Sequence, residues 1–310
     1  MSQPPVYLGL DIHKATLVGS LAGEHFTLDN HPCGRAALCA RIQAHAEPVQ
    51  VVCEASGGYE RAVVDALRQA GLPVSVLHPT RARQLAKGLG NVAKNDRLDA
   101  AALAKIGSLR VPAPTVPPSP EVTALAALVS RRDQLVELMR REKHHRETTT
   151  QKLLLRDLIQ NLAALQKRLE KIEALIAKHL QDHPVLAIKA ERLQQASGVG
   201  LIGAITLLAL LPELGTGSRA RITSLAGLAP RDHESGQYRG PRHVHGGRPK
   251  VRRIMYLCAL SAVRHCPQIH AFYLRLRNAG KPPKVALLAA ARKLLTYLHA
   301  ALKNPDFKLA

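Results

Sequence analysis

The sequence predicts an α/β domain at the N-terminus, a long helical coiled-coil region after it, and a mostly α-helical C-terminal domain. Three observations carry this. Short apolar runs alternate with helical stretches up to residue 110, five prolines fall within Val111–Pro120, and leucine and isoleucine recur at heptad spacing between Leu155 and Ile176. The chain has 310 residues, which at ~150 residues per domain suits two domains.

Val6–Asp11 reads as a buried strand, and Thr16–Leu21 and Glu24–Leu28 follow after short turns, so the three can form an antiparallel meander. A helical stretch near Ala36–Ala46 precedes a second apolar run, Val49–Cys53. A helix around Tyr59–Ala70, closed by Gly71, leads to a third run, Pro73–Leu77. Helices near Thr80–Lys87 and Asp96–Leu109 complete residues 1–110. A meander followed by β-α-β-α gives a mixed sheet flanked by helices, the ribonuclease-H-like order. Residues 111–120 read as a stiff, extended linker, because proline lacks the amide a helix needs.

Residues 121–184 read as the helical coiled-coil region. Leu155, Leu158, Leu162, Leu165, Leu169, Ile172 and Ile176 alternate at spacings of three and four, which is a coiled-coil seam. Two pairings suit it: a second chain, or an intramolecular hairpin folding back near the polar Glu142–Thr150 stretch. Residues 185–310 form the C-terminal domain, where Ala196–Gly203 is a small-residue turn before an apolar helix. Such a turn presents helix N-terminal amides to a phosphate, or permits tight helix packing.

Charge separates the two halves. The chain carries 44 Lys plus Arg against 23 Asp plus Glu, a net +21. Residues 191–310 alone hold 19 basic and 5 acidic groups, a net +14. That asymmetry predicts a polyanion-binding C-terminal half, with nucleic acid ahead of a membrane. Five cysteines without a CxxC pair fit neither a zinc site nor a disulfide scaffold, and suit a reduced, cytoplasmic protein. No secretory signal is visible in MSQPPVYLGLD. With aromatics at 3%, base stacking is not expected to dominate nucleic-acid contacts.

Four carboxylates stand out. Asp11 and Glu54 end predicted strands, where open α/β sheets bind ligands. Asp96 and Asp99, three apart in KNDRLDAAAL, share one face of a helix. Carboxylates gathered on one edge repel unless cations lie among them, and Mg²⁺ is a hard, oxygen-seeking choice. Two such ions can clamp a phosphodiester during in-line displacement. Lys14 and Lys94 flank the set as phosphate contacts. Individually, Asp11 could cap a turn, Asp96 could be a helix N-cap, and Glu54 and Asp99 could be surface residues.

The second constellation is LAPRDHESGQYRGPRHVHGGRPKVRR, residues 228–253. Arg231, Arg239, Arg242, Arg248, Lys250, Arg252 and Arg253 surround Ser235 in a Gly- and Pro-broken loop. Guanidinium groups bind phosphate oxygens bidentately and stabilise developing charge, so a serine there can attack a phosphodiester. Tyr238 is a competing nucleophile, and a plain phosphate-binding loop is the simpler alternative.

GLDIHK, EASGGYE and KNDRLDA, followed by ASGVG, LAGLAPRDHESG and residues 280–298, resemble the transposases of insertion-sequence family one-ten and the related Piv-type DNA invertases. The resemblance covers nearly the whole chain. It implies a RuvC-like DEDD domain in which Asp11, Glu54, Asp96 and Asp99 bind Mg²⁺, and a C-terminal transposase domain in which Ser235 is the nucleophile. It further implies a recombinase that cuts and rejoins donor and target DNA through a covalent phosphoserine link, directed by a structured noncoding bridge RNA. The family picture adds a homo-oligomer, dimer or tetramer, with composite sites, working at the bacterial nucleoid and not at a membrane. A RuvC-type nuclease using water, or a non-catalytic nucleic-acid-binding protein, are the alternatives to it.

Overall fold

The structure is a computed structural model and describes residues 5–89, 95–231, 234–235, 238–240, 242–304 and 306–307. The chain forms two compact units, Met1–Pro117 and Pro118–Ala310.

The first unit is built on β1 (Val6–Ile12), β2 (Thr16–Leu21), β3 (Glu24–Asp29), β4 (Val49–Glu54) and β5 (Val74–Leu77). They form one mixed sheet in the order β3-β2-β1-β4-β5. The meander β1-β2-β3 is antiparallel, while β1, β4 and β5 run parallel. Helices α1 (Pro32–Gln43), α2 (Glu60–Gln69), α3 (Pro79–Gly88) and α4 (Asp96–Arg110) connect and cover it.

Alternation along β1 sorts its residues between two faces. Leu8, Leu10 and Ile12 enter the core shared with Leu38 of α1 and Val63, Val64 and Leu67 of α2. Tyr7 enters the opposite core with Val52, Ala82 and Leu103, on the α3 and α4 side. Gly9 follows Tyr7 on that face, and α4 passes so close that a Cβ at Gly9 would lie 1.9 Å from the Ala100 carbonyl oxygen. Gly107 makes the same allowance for the Tyr7 ring, 2.5 Å from where its Cβ would be.

The proline-rich stretch departs from the expected free linker. Thr115 N–H donates to Val74 O (2.8 Å), and Val76 N–H donates to Thr115 Oγ1 (2.9 Å). Gln50 and Ser75 both donate to Pro112 O, at 2.6 and 3.0 Å. Residues 112–115 thus cover the open edge of β5, a place that suits proline because the outer side of an edge needs no amide donors.

The second unit opens with α5 (Pro120–Thr148) and α6 (Lys152–Asp182). The long helical region breaks at 149–151, just after the start of the run Thr148-Thr149-Thr150, whose β-branched side chains are poor helix formers. The two helices pack antiparallel. Arg132 Nε donates to Glu173 Oε1 (2.9 Å), and the His179 ring meets Glu121 O (2.9 Å). Leu162, Leu165 and Leu169 of the seam are buried against Leu135 and Met139 of α5, with Ile172 packed on them. Of the two pairings open in sequence, the hairpin within one chain is the one that forms here.

Among the described residues, six further helices follow: α7 (Pro184–Gln194), α8 (Leu201–Leu210), α9 (Arg219–Leu225), α10 (Pro249–His265), α11 (Pro267–Asn278) and α12 (Pro283–Lys303). Nearly every residue of α8 is apolar, and it is the buried centre of the unit. Gly198, at φ +95°, lies where a Cβ would meet Ala262 N of α10 at 2.4 Å. Close helix packing therefore accounts for the small-residue turn. Among the described residues, α12 alone is long and apolar enough to cross a membrane by length and composition. Ala290, Leu294, Leu295 and Leu298 place its apolar face in the core.

Leu165→Ala should cost roughly 2–5 kcal/mol of stability, as a large-to-small change in a packed core does. Urea denaturation of the full chain measures it. A loss under about 1 kcal/mol would mean that α5 does not hold α6.

Candidate active site

The first unit brings three of the predicted carboxylates, Asp11, Glu54 and Asp99, to one cleft and sets Asp96 beside Asp11. Asp11 follows Tyr7 and Gly9 on the α4-facing side of β1. In the parallel pairing of β1 and β4, Leu10 lies opposite Cys53, so Asp11 and Glu54 are neighbours at the strand ends. Glu54 follows Val52 on its strand and so shares the face of the α3/α4 core. Helix α4 starts at Asp96, and its approach over Gly9 delivers its first turn to the same place. Asn95, not Asp96, is the N-cap: its side chain accepts from Arg97 N–H at 3.0 Å. Asp96 and Asp99 are thereby free of the capping role, and the positive helix N-terminus favours both.

Asp11, Glu54 and Asp99 line a cleft of about 510 Å³ together with Thr80, Arg83 and Lys87 of α3. Arg83 and Lys87 are exposed, and neither pairs with a carboxylate among the described residues. His13 Nε2 lies 3.2 Å from Asp11 Oδ2 and 3.5 Å from Asp96 Oδ2. The His13 side chain is 44% exposed, but this ring nitrogen is shut off from solvent and makes no well-directed hydrogen bond with either carboxylate. One donor atom each from Asp11, His13 and Asp96 fall within 4.8 Å of one another.

Burial raises the Asp11 carboxyl above its usual range. His13 opposes the rise, while the charges of Asp96 and Asp99 add to it. A buried carboxylate facing two others is costly alone and is stabilised by a cation. Sequence reasoning placed all four acids but passed over His13, Arg83 and Lys87. His13 had a readable signal, since it lies two residues beyond Asp11 and strand alternation returns it to the same side. Arg83 and Lys87 had a weaker one, an i, i+4 basic pair on a helix. Lys14 is exposed in the turn after β1, beside His13. Lys94 lies outside the described residues.

In the second unit, the segment expected to be an irregular loop contains paired backbone. β6 (Pro230–Arg231) pairs with β9 (His243–Val244), and β7 (Glu234–Ser235) pairs with β8 (Tyr238–Arg239). Ser235 is directly opposite Tyr238 in this inner ladder. The basic residues divide into two kinds. Arg248 makes a bidentate ion pair with Glu213, at 2.6 and 2.7 Å, and also donates to Leu210 O at 3.1 Å. Arg252 donates to Gly246 O (2.7 Å) and to Gly227 O (3.4 Å). These two tie the base of the hairpin segment to the helical core. Lys250 lies 3.4 Å from Asp133 of α5. Arg231, Arg242 and Arg253 are exposed, and Arg239 belongs to β8.

Two comparisons with known proteins bear on these features. Residues 8–154 match the DEDD transposase domain of the IS110 family. Residues 190–274 match the domain described as transposase IS116/IS110/IS902 family. A mixed sheet with an acidic cleft, joined to a helical transposase domain, defines a DNA transposase or recombinase. The chain belongs to the IS110 transposase family. It is 27% identical to the pilin gene-inverting proteins of Moraxella lacunata and Moraxella bovis, over 96% of both chains in each case. It is 31% identical over 163 residues to an IS110 insertion-element protein of Streptomyces coelicolor, covering 52% of this chain and 39% of that one.

The Glu213–Arg248 pair gives the second unit a pH dependence. Burial raises the Glu213 carboxyl, but the bonds and charge of Arg248 outweigh it and hold it below its ordinary 4.5. A folded-state value below the unfolded one adds stability above the unfolded value, which is lost as pH falls through the folded value. Urea midpoints at about pH 6 and about pH 3 should therefore differ more for the native chain than for Glu213→Gln. Equal differences would mean that the pair contributes nothing to acid sensitivity.

Proposed function

We propose that this chain is a Mg²⁺-dependent site-specific DNA recombinase that cuts and rejoins donor and target DNA through a phosphoserine intermediate on Ser235, guided by a structured bridge RNA. What carries the reading is the convergence of Asp11, Glu54 and Asp99 in one cleft, with Asp96 beside Asp11, in a chain of the IS110 family. The donor set suits a divalent cation: hard carboxylate oxygens beside an orphaned buried ring nitrogen. When bound, Mg²⁺ supplies charge stabilisation at phosphate oxygens and activation of an attacking hydroxyl.

The chain's own residues have distinct tasks. Asp11, Glu54, Asp96 and Asp99 hold the ion. Arg83 and Lys87 bind the phosphates of a strand entering the cleft. The Ser235 Oγ attacks phosphorus, its proton leaves, and the displaced strand departs with its hydroxyl. Rejoining reverses the step with a different strand as nucleophile. Lys14, Lys94, Arg231, Arg239, Arg242, Lys250 and Arg253 contribute phosphate contacts to DNA or RNA. Arg248 and Arg252 act by holding the hairpin segment. The working species is a dimer or tetramer at the bacterial nucleoid. With the α6 seam closed by α5, the chains associate through other surfaces; exposed Leu153, Leu154 and Ile159 near the hairpin turn are apolar candidates.

Three variants test this with full-length protein, bridge RNA and labelled DNA on denaturing gels. Ser235→Ala should abolish the protein–DNA adduct. Asp99→Ala should abolish cleavage in Mg²⁺ and leave DNA affinity within about threefold, because basic residues supply the binding. An adduct that survives Ser235→Ala and disappears in Tyr238→Phe would transfer the nucleophile to Tyr238. Cleavage by the native chain with no adduct would favour the hydrolytic nuclease. Separately, Arg253→Ala should flatten the log–log salt dependence of duplex binding by about 0.9, the share of one phosphate contact. An unchanged slope would place the DNA elsewhere.

A further inference from the structure

We propose that His13 is a nitrogen ligand of the cation in the carboxylate cleft, and that it tilts the site toward late first-row divalent ions relative to Mg²⁺. The inference rests on the metal-binding reading above and adds a residue and a selectivity to it.

The ring nitrogen is placed with care. The His13 backbone is held on both sides: its N–H donates to Thr16 O (2.9 Å), and Asn30 Nδ2 donates to its carbonyl (2.9 Å). Asn30 is itself fixed by Arg35, which donates to Asn30 Oδ1 at 3.0 Å. The tight turn after β1 therefore has little freedom, and it presents Nε2 to Asp11 and Asp96. The nitrogen itself is shut off from solvent and faces the two carboxylates at 3.2 and 3.5 Å without a well-directed hydrogen bond to either, which is a cost to the fold. A lone pair directed at a cation relieves that cost. A protonated ring bridging the two carboxylates would relieve it too, and the experiment separates the two.

The consequence is chemical. Carboxylate and water suit Mg²⁺, whereas imidazole suits the later first-row ions. One imidazole among carboxylates leaves Mg²⁺ and Mn²⁺ acceptable and strengthens Co²⁺ or Zn²⁺ selectively.

Pulsed EPR of the full-length protein loaded with Mn²⁺ reads the ligand directly. The native chain should show ¹⁴N modulation of imidazole type, and His13→Gln should lose it while still binding Mn²⁺ through carboxylates. In parallel, His13→Gln should weaken Co²⁺ binding by about tenfold or more and Mg²⁺ binding by less than about threefold. Asp99→Asn should weaken both ions. Absent ¹⁴N modulation in the native chain, modulation that persists in His13→Gln, or equal losses for Co²⁺ and Mg²⁺ would each overturn the role of His13. If Asp99→Asn weakens neither ion, the metal-binding reading of the cleft fails as well. The native-chain spectrum needs no variant, so it decides the matter even if His13→Gln folds poorly.

Discussion

The candidate site depends on one close approach, that of helix α4 to strand β1 at Gly9. No side chain larger than hydrogen fits there, since a Cβ would lie 1.9 Å from Ala100 O and 2.4 Å from Ala104 N. With the backbones so near, the first turn of α4 sits over the end of β1. Asp96 then comes within 4.8 Å of Asp11, and Asp99 lines the same cleft. A bulkier residue at Gly9 would lift α4 and separate the acids, and the cleft would lose the charge density that calls for a cation. Gly107 against Tyr7 provides the same closeness farther along the helix, so the angle of approach is set at two points.

Electrostatics then works against the fold at this spot. Burial and the charges of Asp96 and Asp99 all disfavour ionised Asp11, with only His13 opposing them. Packing elsewhere must hold the arrangement. The sheet does so with apolar layers on both faces, one under α1 and α2 and one under α3 and α4. The proline-rich stretch closes the β5 edge. In the second unit the comparable device is Arg248, whose bidentate contact with Glu213 anchors the chain between the hairpin segment and α10. Within this one basic run, Arg248 and Arg252 thus bond inward, while Arg231, Arg242 and Arg253 are exposed.

Much was legible in sequence because its causes are local. Strand alternation, the Asp96–Asp99 spacing and the runs of apolar residues made strands β1 to β5 and helices α1 to α4 readable, with ends displaced by a few residues. The acids could be grouped because strand ends and a helix start meet in any sheet of this order. Less local features were missed. The strand pairing around Ser235 involves two-residue strands, too short to carry a periodic pattern. The α6 seam reads identically whether its partner is another chain or α5, since a heptad records the presence of a partner and not its origin.

By itself, the sequence determined the mixed α/β and helical classes and the basic C-terminal half and singled out the four acids as candidates, because composition, period and motif are properties of neighbours in the chain. Tertiary structure alone decided the rest. It returned α6 onto α5, laid residues 112–115 along β5, chose Asn95 over Asp96 as the cap, turned Arg248 into an internal tie and brought His13 to the carboxylates. Each of these depends on which distant segments come within a few ångströms, and that is set by how apolar faces and backbone donors are satisfied across the whole unit, a sum that no window of sequence contains.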